Sequence, residues 1–194
     1  AEKLQGFCKE QGMAFFMVPE SMASVGTKVA YINALGSQYI NTGLYPDQYL
    51  RTEFTFSTTD TSHDKMTFGV RYAGYIYLVW LSKGAGTTVN VCWGNASNLR
   101  GGSTGKNPGD VWTLNYGRNG VLGDDEKVIF TAAELAKHTV ATKSTRTLKL
   151  MGLDNGGSID DRKYYGRCYG FKAFVESADG SGETLVQDLV PFKM

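Results

Sequence analysis

Few residues in this chain are able to do chemistry, and their spacing decides what they can do. Histidine occurs twice, as His63 and His138. His63 lies in the string Ser62-His63-Asp64, inside the polar run that starts at Thr58. A nucleophile, a base and an orienting carboxylate work together only when separate elements converge in space. Three consecutive residues of a connecting loop cannot present that geometry. His138 falls at the end of a short helical stretch, where the helix dipole favours a cation, so it reads as structural. Glu53 is the best-placed carboxylate on a strand, but it points away from the Phe54 side and has no acidic companion nearby in sequence. A solvated sheet face accounts for it. Gly101-Gly-Ser-Thr-Gly-Lys106 misses phosphate-loop spacing by one residue, Asn107 replaces the hydroxyl residue, and Pro108 blocks the helix that must follow. It reads as a flexible connection.

Oxygen and aromatic groups are richer. Asp154-Asn-Gly-Gly-Ser-Ile-Asp-Asp161 concentrates carboxylates and amides as a calcium cage requires, with Asp154, Asn155, Asp160 and Asp161 as candidate ligands. The spacing is not that of an EF-hand, and the same residues are ordinary turn formers, so both readings stand. Asp60 and Asp64 form a lesser acidic pair. Sugars stack their C–H faces on Tyr and Trp, whose polar tips also form hydrogen bonds, so a sugar site needs aromatics on loops or on an open sheet face. Tyr45 and Tyr49 flank the Pro46-Asp47 turn, Tyr72 and Tyr75 flank Ala73-Gly74, and Trp93 leads into a loop through Asn95. Tyr164 and Tyr165 follow the acidic loop. These eight residues are the candidate ligand contacts; core or rim packing is the alternative for each aromatic. Asn95-Ala-Ser97 is also a formal glycosylation acceptor.

The elements that must position these residues are strands. The 24 glycines among 194 residues are well above the ordinary share of roughly 7%. Eleven Tyr and ten Phe join frequent Thr and Val, residues that fit a pleated, half-buried surface. Residues 50 to 57 alternate, with Leu50, Thr52, Phe54 and Phe56 to one side and Arg51, Glu53, Thr55 and Ser57 to the other. Further strands are expected over 29–33, 38–44, 66–72, 75–82, 87–93, 110–117, 127–131, 146–153, 164–176 and 183–192, with a Gly/Asn/Ser-rich loop over 94–110. The run 75–82 is apolar on both faces and reads as a central strand. One short helix is expected at about 131–138, opened by the capping box Thr131-Ala-Ala-Glu134. Strand after strand without a βαβ rhythm means an all-β antiparallel sandwich or barrel. Residues 1–26 read as an N-terminal appendage: a helix over 2–11 with Gly12 as C-cap, then an apolar strand closed by Pro19. The appendage is either the tail of an upstream module or a segment packed on the main domain, residues 27–194.

A formal charge of +1 gives no reason to expect nucleic acid or an acidic membrane surface. No apolar run approaches the roughly 20 residues of a membrane span, and Met13–Val18 lacks the basic flank and cleavage site of a signal peptide. Cys8, Cys92 and Cys168 are an odd set with no close pair. Separate thiols, or a bridge from Cys92 to Cys168, are the two readings.

Three stretches resemble the laminin-G-like, concanavalin A-like jelly-roll domains of bacterial surface and phage proteins. The first is Tyr31, Ile32, Gly36, Gln38, Tyr39, Ile40, Thr42, Gly43 and Pro46, matching Tyr-Ile-x-x-x-Gly-x-Gln-Tyr-Ile-x-Thr-Gly followed by Pro. The second is Thr147–Asn155, a strand ending in an Asn-bearing turn; the third pairs Gly166–Phe174 with Leu185–Pro191 as a closing hairpin. The resemblance spans roughly residues 29 to 193, with the middle third matching in pattern only. It implies a two-sheet antiparallel jelly roll that binds rather than catalyses, outside the cell, on a cell surface or on a virion. The implied partner is a glycan or a surface protein, within an oligomer or larger assembly, with no cofactor beyond the calcium that such loops often hold. Hydrolases among sandwich relatives carry Glu-x-Asp-x-x-Glu on one strand, which this chain lacks. Because a shared fold does not carry a shared ligand, the expectation of glycan binding must be argued from the site.

Overall fold

A computed structural model describes residues 8–10, 13–19, 27–36, 38–59, 62, 64–72, 75–82, 88–94, 97–138, 143–159 and 164–193. Among them the chain is built almost wholly of strands. In chain order these are β1 (Cys8–Glu10), β2 (Met13–Pro19), β3 (Thr27–Lys28), β4 (Ile32–Gly36), β5 (Ile40–Asn41) and β6 (Leu50–Thr58). There follow β7 (Lys65–Tyr72), β8 (Tyr75–Leu81), β9 (Thr88–Gly94), β10 (Ser97–Ser103), β11 (Trp112–Gly117) and β12 (Gly120–Leu122). After them come β13 (Val128–Thr131), the helix α1 (Ala132–Leu135), β14 (Lys149–Leu150), β15 (Asp154–Asn155), β16 (Ser158–Ile159), β17 (Tyr164–Glu176) and β18 (Glu183–Lys193).

The strands form two sheets. The first runs β1-β2-β18-β17-β6-β11-β12-β13, with β3 beside β18 and β4 beside β17. The second runs β10-β9-β8-β7-β14-β5, with β15 and β16 attached at β7. All pairings are antiparallel except the short one between β15 and β7. Residues 50–58 show why β6 sits at the centre of its sheet. Thr52, Phe54 and Phe56 are buried inward, while Arg51, Glu53 and Thr55 lie half-buried on the outer face. The expected central position of β8 is borne out, because it pairs with both β7 and β9.

Aromatics join the two layers. Phe54 meets Phe68 edge-on at 5.9 Å, and Tyr116 packs 5.9 Å from Phe68 and 5.4 Å from Trp93. The fully buried Tyr77 hydroxyl spans the interior, donating toward the Tyr116 carbonyl at 2.9 Å or the Leu50 carbonyl at 3.2 Å. A buried hydroxyl needs such partners, and here they tie the second sheet to the first. Burial pushes the Tyr77 hydroxyl well above its ordinary range.

The helix over 2–11 and the loop over 94–110 are corrected, and the open alternative for Cys92 and Cys168 closes in favour of separate thiols. Cys8–Glu10 is a strand, so the helix over 2–11 does not form there; residues 1–7 lie outside the described residues. Its backbone pairs with Met13–Phe15, and β2 in turn pairs with Leu189–Lys193 of β18. An apolar strand offered a sheet edge, and pairing with it satisfies the backbone of 8–10. The loop expected over 94–110 contains β10, which pairs with β9 through a bulge between Leu99 and Gly102. Gly102 is needed there because a Cβ would come within 2.4 Å of Ile129 and 2.9 Å of Phe130, where β10 closes against β13. Cys92 and Cys168 lie in different sheets, both buried, and are not joined. The expected capping box is present: Thr131 Oγ1 accepts from the Glu134 N–H, and Glu134 accepts from the Thr131 N–H at 2.7 Å. No described helix is long and apolar enough to cross a membrane.

Candidate functional site

The outer face of the first sheet carries the side chains able to meet a ligand. Along β17, residues 164, 166 and 168 are buried while Tyr165, Arg167 and Tyr169 are half-buried on the opposite side. A bulge follows: Cys168 opposes Phe56 and Gly170 opposes Thr55, leaving Tyr169 as the extra residue. Bulges re-aim side chains in this way and recur beside functional sites. Tyr169 thereby reaches Tyr31, ring to ring at 5.6 Å and tilted by 55°. The Arg167 guanidinium lies 4.3 Å from the Tyr31 ring centre, and interaction with the Tyr169 side chain holds its proton more firmly than usual. Tyr165 lies across Gly36, where a Cβ would come within 2.7 Å of the ring. The glycine of the opening motif is therefore a seat for this aromatic.

Beside this wall the side chains shorten. Gly170 has no side chain, and a Cβ there would meet only the Leu189 carbonyl, at 3.7 Å. Next to it Thr55 and Thr113 are joined hydroxyl to hydroxyl at 2.8 Å. Beyond them stands a charged wall. Lys172 lies opposite Glu53 and 3.8 Å from Asp188. Arg51 donates to Glu53 at 2.7 Å, to Glu183 at 2.7 and 2.6 Å, and to Asn115, and stacks 4.0 Å over the Phe174 ring. Hydrogen bonding to Arg51 holds the Glu183 carboxyl below the usual range. Past Arg51 a cleft of about 210 Å³ opens between Asn115, Asn119 and Leu122. We call this row of groups the trough: an aromatic–basic side, a floor of hydroxyls and glycine, and a charged far side.

The sequence candidates scatter. Trp93 and Tyr164 are in the core, 3% and 0% exposed, so neither ring has a face for a sugar. Trp93 follows Val89 and Val91 inward by alternation, and the Tyr164 hydroxyl donates to the Ser57 carbonyl at 2.6 Å. Tyr45 is exposed, at 49%. Tyr49 is half-buried, with the Arg118 guanidinium 5.3 Å from its ring centre. Tyr72 and Tyr75 lie directly opposite each other on β7 and β8. Asn95 lies outside the described residues. Of those among the eight whose side chains are described, Tyr165 lies on the trough face. Tyr31, Arg167 and Tyr169 were missed, although Tyr165-Gly-Arg167-Cys-Tyr169 carries the signal of the last two as plain period two.

Asp154 and Asn155 form one side of a two-strand hairpin whose turn is Gly156-Gly157. Asp154 is buried, accepts from the Gly157 N–H at 2.8 Å and lies 3.8 Å from the Lys149 ammonium. Asn155 is exposed, and Asp160 and Asp161 lie outside the described residues. A carboxylate already facing an ammonium fits a cation poorly, and no three His, Cys, Asp or Glu among the described residues come together. Ser62 is exposed and His63 lies outside the described residues. The buried Cys168 thiol is pushed up to about 12 by desolvation, so it is not a thiolate at neutral pH.

No family model matches the chain, and no curated protein matches it. The functional reading therefore rests on geometry.

Proposed function

We propose that the chain is a non-catalytic binding module of the jelly-roll, laminin-G-like kind, which recognises a glycan outside the cell, on a bacterial surface or a virion. The observation that carries this reading is the trough on the first sheet. A bulge turns Tyr169 toward Tyr31 at 5.6 Å, beside a floor made of the paired Thr55 and Thr113 hydroxyls and the bare Gly170. Sugars need an aromatic surface for their C–H faces and nearby groups that both donate and accept for their hydroxyls. The trough offers both.

A printed glycan array followed by calorimetry tests the reading. The wild-type chain binds at least one oligosaccharide, and Tyr169→Ala weakens that binding by about tenfold, the equivalent of about 1.4 kcal/mol, with an unchanged melting temperature. A wild-type chain that binds nothing on the array contradicts it.

A second reading, assembly with other protein, has one observation of its own. Residues 183–188 of β18 pair with β17 on one side, while β2 and β3 join the other side only from Leu189 onward. Among the described residues this leaves an open strand edge with Leu185 and Val186 exposed at 49% and 46%. Such edges pair with other chains unless blocked. Sedimentation decides: a monomer at high micromolar concentration removes this reading, and an oligomer dispersed by Val186→Lys supports it.

A further inference from the structure

We propose that the Arg167 end of the trough receives the acidic group of the sugar, a carboxylate or a sulfate; this rests on the glycan reading above. Arg167 is placed as a receptor for such a group. Its guanidinium is held 4.3 Å over the Tyr31 ring, which itself packs 5.6 Å from the Tyr169 ring, so it is positioned before any ligand arrives. A guanidinium has five N–H donors in a rigid fork that matches a carboxylate or sulfate in bidentate fashion, and it is weakly hydrated.

The charge around it differs from the rest of the face. Arg51 meets Glu53 and Glu183, and Lys172 meets Asp188. Arg167 meets no carboxylate among the described residues: its neighbours on the pleat are Tyr165 and Tyr169 along β17, Asn33 on β4 and Ser57 on β6. A cation held over an aromatic ring, with no counter-ion among the described residues, at the head of a trough of hydroxyls, lacks only the anion. The Thr55 and Thr113 hydroxyls continue the trough with groups that exchange hydrogen bonds with sugar hydroxyls, which favours an acidic oligosaccharide over an acidic peptide.

Calorimetry on the intact chain tests this with tetragalacturonate, its methyl ester, a sulfated heparin tetrasaccharide, neutral cellotetraose and a hexaglutamate peptide. Tetragalacturonate or the heparin fragment binds at least tenfold tighter than the ester and cellotetraose. Whichever of the two acids binds tighter names the group. Arg167→Gln removes the tenfold preference, bringing the acidic sugars to the affinity of the ester, with an unchanged melting temperature. Arg167→Lys, which keeps charge and loses the fork, restores only part of it. Equal binding of acidic and neutral sugars, or a preference that survives Arg167→Gln, overturns the proposal and leaves the glycan reading standing. Hexaglutamate binding as tightly as the sugars overturns it in favour of an acidic peptide. No binding of any oligosaccharide, acidic or neutral, overturns the glycan reading and the proposal with it.

Discussion

Arg51 and Glu183 stand 132 residues apart in the chain and are joined by two N–H···O bonds of 2.7 and 2.6 Å. The fork ties the middle of the first sheet to the strand that begins its closing edge. Arg51 also lies on Phe174 and reaches Glu53, so one side chain links β6, β17 and β18. Burial alone would depress the Arg51 pKa, but bonding to Glu183 and Glu53 more than compensates, and its proton is held more firmly than usual. Lysine cannot reproduce this, since it offers a point charge in place of a planar fork. Arg51→Lys and Arg51→Ala are expected to lower stability by about 0.5 and about 1–2 kcal/mol, the sum of a half-exposed ion pair and a cation–π contact. Urea denaturation measures both. An Arg51→Ala variant as stable as wild type would show the network to be ornamental.

Two glutamates on this sheet make opposite pH contributions. Glu183 is held below its ordinary value of 4.5 by Arg51. Its stabilisation is present above 4.5 and fades as the pH falls through the lowered value. Glu176 is raised above 4.5, first by burial, with Arg118 pulling the other way. The folded state then holds a proton that the unfolded state has lost, so stability falls as the pH rises from 4.5 through the raised value. Glu176→Gln is expected to flatten that fall, and Arg51→Ala to flatten the acid limb below 4.5. Melting temperatures across pH 3 to 8 read both; matching profiles for wild type and Glu176→Gln would remove the second assignment.

The interior hydroxyl of Tyr77 makes a separate prediction. It lies 3.1 Å from Thr52 Oγ1 and donates toward the Leu50 or Tyr116 carbonyl. Tyr77→Phe keeps the packing and leaves buried acceptors without this donor, so a loss of about 1–3 kcal/mol is expected. Chemical denaturation checks it, and a loss below about 0.5 kcal/mol would mean that the bridge between the sheets is not stabilising.

Neighbouring glycines of β17 should respond differently. A Cβ at Gly166 would lie 2.0 Å from the Ser57 carbonyl oxygen, a backbone atom that the strand pairing fixes. A Cβ at Gly170 would meet the Leu189 carbonyl at an ordinary 3.7 Å. Gly166→Ala is expected to unfold the chain or cost several kcal/mol, and Gly170→Ala to change stability by less than about 1 kcal/mol. Soluble yield and melting temperature separate the two.

Much of the fold was legible because it depends on local pattern. The alternation over residues 50–57 foretold β6 and its two faces, the expected run 164–176 matches β17, and Thr131-Ala-Ala-Glu134 marked its helix. The trough was less legible. Tyr164 and Tyr165 look alike in sequence, and only the alternation continued to Arg167 and Tyr169 separates the core ring from the surface ring. The bulge that frees Tyr169 depends on how β17 and β6 register. The companions of Glu53 come from within β6 at Arg51 and, through it, from β18 at Glu183, a distance that no short motif spans. At the N-terminus a helical face was visible in residues 2–11, yet pairing with an apolar strand won over residues 8–10.

The most direct test follows backbone amide shifts of the labelled chain while the tightest array oligosaccharide is titrated in. Saturable shifts clustered on Thr55, Thr113, Arg167, Tyr169 and Gly170 are the expected result. Shifts confined to the 183–188 edge, or to the loop around Tyr45, would contradict a sugar site on the outer face of the first sheet.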